Sequence, residues 1–346
     1  MALRLVDVTV PQEELEGIPD LLEDVRVVDV WTWESDNDTG LVRVLLDAKD
    51  AETLSDLLVG KFGSQDGFRL VLLPVEATLP KVEEPSEEET EEDGASEESE
   101  ESEPQRISRE ELYEDLSESS ELTYVYVVMV ALSTVVAAVG LTRGDIAIVI
   151  GAMVIAPLLG PNVALSLAAT LGDPDLARRS LKAIGVGVGT AAVLSMLLGT
   201  LLEVDPSGPE IAARTRAEIG DIALALAAGA AGSLAFTSGV SGVVVGVMVA
   251  VALLPPLVVA GLLAGAGHGT AASGALILLL TNVTCVNLAA VGTFLVQKVR
   301  PRTWWEADRA KKATRLAVAT WIILLAILLA LILLGEVDVS VASRRP

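Results

Sequence analysis

Gly151-Ala-Met-Val-Ile-Ala-Pro-Leu-Leu-Gly-Pro161 and Gly246-Val-Met-Val-Ala-Val-Ala-Leu-Leu-Pro-Pro256 lie 95 residues apart and are identical at six of eleven positions. Both set prolines inside a run of small and branched apolar residues. Pro157 and Pro161 have no N–H to give the carbonyls of Met153 and Pro157, and Pro255 and Pro256 have none for those of Val251 and Ala252. A helix through either stretch is therefore expected to kink or split near its middle. In hydrocarbon such freed backbone persists only when it is buried in protein or lines a wet cavity.

The surroundings are hydrophobic enough to make that setting a bilayer. Windows of about 20 apolar residues, the length that crosses a ~30 Å hydrocarbon core, fall at residues 122–141, 145–171, 180–202, 217–237, 241–266, 272–297 and 316–335. The 95-residue offset lays the first three windows on the next three. Three crossings reverse the direction of the chain, so the second unit is expected upside down relative to the first, as in the inverted repeats of secondary transporters. The seventh window, apolar throughout residues 322–334, is expected outside the repeat, against lipid or a neighbouring subunit.

Polar residues gather near the breaks. Asn162 follows Pro161, and the sixth window holds Asn282, Thr284 and Asn287. Thr284 and Asn287 share a helix face and Asn282 looks elsewhere. They suit either hydrogen bonds between helices or a polar path, with Ser133, Thr134, Ser166, Ser233, Thr237 and Ser238 as weaker candidates. The substrate-pathway candidates are thus Pro157, Pro161, Asn162, Pro255, Pro256, Asn282, Thr284 and Asn287. Free carbonyls would suit a cation and half-helix N-termini an anion, and the sequence leaves that choice open. Gly-x-x-x-Gly spacings at Gly185/Gly189, Gly242/Gly246 and Gly261/Gly265 would let helices approach closely.

Loop cations set an expected orientation. With the N-terminus inside, twelve Lys and Arg, among them Arg178, Arg179, Lys182 and those from Lys298 to Arg315, fall on the cytoplasmic side against five outside. This places the C-terminus outside a cell membrane, with Trp304 and Trp305 as interfacial anchors.

Ahead of the membrane part, residues 3–10, 25–33, 40–47 and 68–76 read as strands, and residues 12–24 and 50–62 as helices, the second capped by Asp50. The order βαββαβ is the ferredoxin-like motif. Its layout resembles the small regulatory ACT domains, suiting either a docking module or a sensor of a small-molecule effector. Residues 83–103 carry 13 Asp and Glu and no basic or aromatic side chain, a composition expected to form a disordered tether. The expected division is a cytoplasmic domain at 1–80, an acidic linker at 81–110, a membrane domain of two three-helix units at 111–300, and a basic juxtamembrane segment with a seventh helix at 301–346.

The net charge of −24 is concentrated at the start: residues 1–121 hold 36 acidic side chains against 9 basic. Such acidity suits a high-salt, halophilic cytoplasm. One cysteine and one histidine, Cys285 and His268, rule out a disulfide framework and a zinc site of the usual ligand count. Neither sits in a setting that suits catalysis, so no enzyme, metal or cofactor is expected. No phosphate loop is present, and the basic stretch is juxtamembrane, so nucleic acid is not implied.

The Gly-x-Met-Val-x-Ala-Pro-Leu-x-Gly-Pro stretch, its echo, and the βαββαβ layout together resemble a family of hydrophobic proteins called domain of unknown function 389, in the form found across archaea. The resemblance covers residues 122–300 best and implies a fold without a reaction or binding residues. The expectation is a multi-pass membrane channel or transporter for a small solute or ion, surrounded by membrane lipids and assembled as a symmetric homo-oligomer. The alternative is a membrane-anchored sensor or scaffold.

Overall fold

The computed structural model describes residues 3–22, 25–34, 39–65, 67–75, 78, 107–239, 253–301 and 304–342. The chain is mostly helical, with one small antiparallel sheet, and divides into two compact units, Met1–Glu111 and Leu112–Pro346. The tether expected at 83–103 and the segment 246–252 of the proline echo lie outside the described residues, as do Arg302, Arg344 and Arg345 and the side chains of Trp304 and Trp305.

In the first unit, β1 (Leu3–Pro11), β2 (Val27–Glu34), β3 (Thr39–Asp47) and β4 (Arg69–Val75) form an antiparallel sheet in the order β2-β3-β1-β4. Val6, Val8, Val42 and Val44, from the two central strands, are fully buried. They meet Leu54, Leu58 and Phe62 of α2 (Ala51–Phe62) and Ile18 of α1 (Ile18–Leu21). Period-two alternation in the strands and the apolar stripe of α2 thus build one core.

Three expectations change here. The helix expected over residues 12–24 is a 3-10 turn, Gln12–Gly17, followed by the four residues of α1. Pro19 cannot donate a backbone hydrogen bond, so the ladder restarts with it inside the first turn of α1. Asp50 stands at the N-cap of α2 with helical backbone angles and makes no side-chain cap. Residues 107–110, expected to be linker, are built into structure. Ile107 is buried, Arg109 binds Asp56 (2.9 Å) and lies beside Glu52 and Glu110, and Arg4 grips Glu111 through two 2.9 Å bonds.

The second unit begins within α3 (Arg109–Ser119) and continues as α4 (Tyr124–Arg143), α5 (Ile146–Ile155), α6 (Leu159–Leu171), α7 (Pro174–Leu201), α8 (Pro209–Ala212), α9 (Ile219–Thr237), α10 (Leu254–Gly265), α11 (Gly269–Val296) and α12 (Trp304–Ala342). Among the described residues, five helices (α4, α7, α9, α11 and, within α12, Asp308–Leu334) are long and apolar enough to cross a membrane. The number rises to six if α5 and α6 count as one bent span.

Helix ends recur at the 95-residue offset. Helices α4, α6 and α7 begin at Tyr124, Leu159 and Pro174, and α9, α10 and α11 begin at Ile219, Leu254 and Gly269. The stops repeat too: α7 ends at Leu201 and α11 at Val296. Left-handed glycines occupy matching turns, Gly144 (φ 69°) with Gly239 (φ 68°) and Gly172 (φ 70°) with Gly267 (φ 84°). Contacts repeat as well. Helix α6 packs on α7 as α10 packs on α11, α4 on α7 as α9 on α11, and between the units α6 on α11 as α10 on α7. The duplication suspected from eleven residues therefore extends over two sets of helices.

Polar caps start these helices. Thr123 accepts from the Tyr126 N–H, Asp145 from Ala147 and Ile148, and Asp173 from Asp175 and Leu176, while Glu218 and Asp221 cap each other's backbone at the start of α9. Tyr113 also donates to Asp173 at 2.8 Å. Burial raises the Asp173 carboxyl pKa, but the Leu176 and Asp175 N–H groups, the Tyr113 hydroxyl and Arg179 outweigh it and hold the group below its ordinary value.

Two measurements check these assignments. A methyl at Gly144 or Gly267 would meet no neighbour within 4 Å, so Gly144→Ala and Gly267→Ala should each cost only the left-handed backbone term of about 1–2 kcal/mol, seen as lower melting temperatures in detergent. Because the folded Asp173 pKa is depressed, its contribution is fully present above the unfolded value and disappears as pH falls through the folded one. Asp173→Asn should lower stability at neutral pH and flatten the acid limb of a melting-temperature profile.

Candidate functional site

The break between α5 and α6 bends the chain by 50°. Its cause is Pro157, whose ring disfavours helical angles at the preceding residue; Ala156 accordingly turns out of the helix to φ −72° and ψ 116°. Pro157 is half-buried in the break, and Pro161 is buried in the first turn of α6. Pro161 was expected to extend the interruption. Placed in a first turn, its missing N–H leaves the ladder intact, because first-turn donors have no intrahelical acceptor.

Pro255 and Pro256 take the corresponding place, buried in the first turn of α10. They begin a helix, and whether one breaks before them falls outside the described residues. Helix α10 packs on α7, α11 and α4.

The break carries a polar cluster on its C-terminal side. Asn162 Nδ2 donates to the Leu158 carbonyl at 2.8 Å, and Asn287 Nδ2 of α11 donates to Asn162 Oδ1 at 3.2 Å and to the Val283 carbonyl at 2.8 Å. Ser166 Oγ donates to Asn287 Oδ1 at 2.9 Å, and Thr170 Oγ1 to the Ser166 carbonyl, also at 2.9 Å. Asn162, Ser166 and Asn287 are all nearly or wholly buried. The two asparagines expected near the breaks therefore meet across the α6–α11 seam and bridge the two repeat units.

Ser166 ranked among the weaker candidates yet completes the bridge. Asn162, Ser166 and Thr170 recur at i, i+4 and i+8, a polar stripe on an otherwise apolar helix, and that spacing was the available signal. Thr284 is buried but bonds back to the Leu280 carbonyl of its own helix at 2.6 Å, and does not join Asn287. Asn282 is buried elsewhere on α11. Also at the start of α6, a Cβ on Gly160 would come within 2.6 Å of Ser119 Cβ, so the glycine admits the end of α3 there. No local pattern marks that contact.

The pseudo-equivalent α7–α10 seam has different chemistry. Ser166 and Thr170 correspond at the 95-residue offset to Gly261 and Gly265, and Asn287 to Ala192. A Cβ on Gly199 or Gly265 would overlap the backbone carbonyls of Leu262 or Met196, so these helices touch through backbone. One seam is held by amides and the other by glycines.

Among the described residues no three His, Cys, Asp or Glu side chains cluster as metal ligands would. Cys285 is buried in α11, and His268 stands exposed at its start.

The family model described as Domain of unknown function (DUF389) matches residues 153–288, an interval that begins at the last turn of α5 and encloses both asparagines. An uncharacterized protein of Methanocaldococcus jannaschii is 37% identical over 334 residues, covering 96% of this chain and 99% of the relative. The chain belongs to the DUF389 family. No solved structure matches it. The likeness to that relative runs across both units, beyond the interval that the family model spans.

A double-mutant cycle tests the bridge. Asn162→Ala and Asn287→Ala, alone and together, should give a coupling of about 0.6–1.7 kcal/mol in unfolding experiments, the range of hydrogen bonds between membrane helices. Strict additivity would remove the bridge as a stabilising contact.

Proposed function

We propose that this DUF389 protein is a membrane channel or transporter for a small cation, built from two inverted three-helix units with α12 as a seventh crossing. The reading is carried by the Pro157 break standing at the second element of a unit whose helix boundaries recur 95 residues later. Interrupted helices at repeat positions are where such folds hold a solute.

The prolines favour a cation over an anion. An anion site at a helix start uses first-turn N–H donors; Pro161 removes one from α6, and Pro255 and Pro256 remove two from α10. Carbonyl oxygens released before the prolines, Met153 among them, remain as ligands for a hard cation. With no acidic side chain at the centre of these helices, charge balance for the ion falls to backbone dipoles.

In this reading the first unit is a ferredoxin-like cytoplasmic domain that gates or assembles the pore and takes any small-molecule effector. The basic loops keep the N-terminus inside the cell membrane, lipids surround the exposed apolar helices, and the protein has no enzymatic activity. The closed Asn162–Asn287–Ser166 bridge would be the shut arrangement of the α6–α11 seam. It also favours the second reading, a scaffold in which that seam never opens.

Proteoliposomes loaded with potassium, sodium or chloride separate the two. Cation flux above that of empty vesicles is expected, with little chloride movement. A correctly folded Pro157→Ala variant should lose flux on the order of tenfold, equivalent to about 1.4 kcal/mol of barrier. Flux of neither sign, together with cysteines at positions 162 and 287 that resist membrane-impermeant reagents, would leave the scaffold.

A further inference from the structure

The helices of the first unit cover one face of its sheet; on the other face Leu3 and Leu45 of the central strands are buried (8% each), and the edge strands carry the exposed apolar side chains. On that second face, edge strand β2 exposes Trp31 (36%) and Trp33 (44%), and edge strand β4 exposes Val71 and Leu73 (40% each). Two of the protein's five tryptophans thus stand on one open surface. At the middle of that face Arg43 holds Asp7 through bonds of 2.6 and 2.7 Å and lies 5.4 Å from the Trp33 ring. In a domain whose residues 1–80 hold 17 acidic side chains against 6 basic, the face carries Asp7, Asp29 and Asp47 against Arg43 and Arg69, close to neutral. Both properties mark a surface made to be covered.

We propose that it is covered by the same face of a second copy of this chain. Strand register gives three rows across the sheet: Trp33-Leu41-Thr9-Arg69, Trp31-Arg43-Asp7-Val71, and Asp29-Leu45-Leu5-Leu73. A two-fold axis parallel to the strands, between β3 and β1, reverses each row on the facing copy. Arg43 then meets Asp7 of the second copy, Leu45 meets Leu5, Trp31 meets Val71, and Trp33 receives Arg69 over its ring. No row opposes like charges. The strands stay nearly aligned, as facing sheets require.

The size is consistent with association of anchored chains. Four strands at ~4.8 Å and about seven residues at ~3.3 Å make a face of roughly 400–500 Å² per copy. The total of about 900 Å² is below what freely diffusing partners bury, about 1,200 Å² or more. Chains confined by apolar helices to one bilayer need less, because their effective concentration is high. The proposal does not depend on whether the protein transports anything.

Disulfide trapping of the full-length chain in native membranes tests it. Trp31→Cys in one tagged copy and Val71→Cys in another, co-expressed and oxidised, should yield a dimer carrying both tags. Trp33→Cys with Arg69→Cys should do the same, guarding against one poorly folded variant. Each pair occupies opposite edges of the sheet, about 14 Å apart across three strand spacings, too far for an intrachain bond. Thr32→Cys, on the helix-covered side, should not trap with Val71→Cys. The proposal is overturned if neither pair gives a mixed dimer, if the Thr32 control traps equally well, or if the thiols link only to other proteins.

Discussion

A proline within an apolar helix imposes two demands at once: a carbonyl loses its donor, and the preceding residue leaves helical backbone space. In water the released groups can turn to solvent. In an apolar setting the released groups need partners from the protein itself. Around Pro157 this requirement organises the second unit. The chain turns at Ala156, α6 restarts with Pro161 where no donor is needed, and Asn162 feeds its side-chain amide back to the Leu158 carbonyl. Asn287 and Ser166 then tie Asn162 into a link between the repeat units.

The repeat was legible because helix signals are local. The two proline-bearing stretches, residues 151–161 and 246–256, are short-range features that can be read without knowing what packs where. The sheet was equally legible, since period-two alternation in residues 3–10 and 40–47 separates its two faces. Tertiary partners were not. Asn162 and Asn287 are 125 residues apart, and no local pattern says that they meet. Nor did the sequence show that Pro161, Pro255 and Pro256 lie in first turns, since a proline in an apolar run looks the same whether it ends a helix or opens one. Residues 107–111 escaped for another reason: a single buried Ile107 and an arginine among carboxylates resemble a continuing acidic linker until Glu52 and Asp56 are seen around Arg109.

Architecture and chemistry have diverged between the units. Helix ends coincide at the 95-residue offset, whereas the two seams they form do not share a side-chain strategy. At α7–α10 the absence of side chains at Gly199 and Gly265 brings backbone to backbone. At α6–α11 amide and hydroxyl groups span the gap. Glycine contact is stiff in distance but indifferent to chemistry, while the amide bridge depends on orientation.

That divergence suits each half to the other and not to a copy of itself. Two copies of the first would bring Asn162 and Ser166 up to Ala192, burying an amide and a hydroxyl against a methyl. Two copies of the second would bring Gly261 up to Asn287, leaving its carboxamide facing an empty notch. Only the mixed pairing satisfies both surfaces, so a fold that began as a doubled element has become a matched lock and key within one polypeptide.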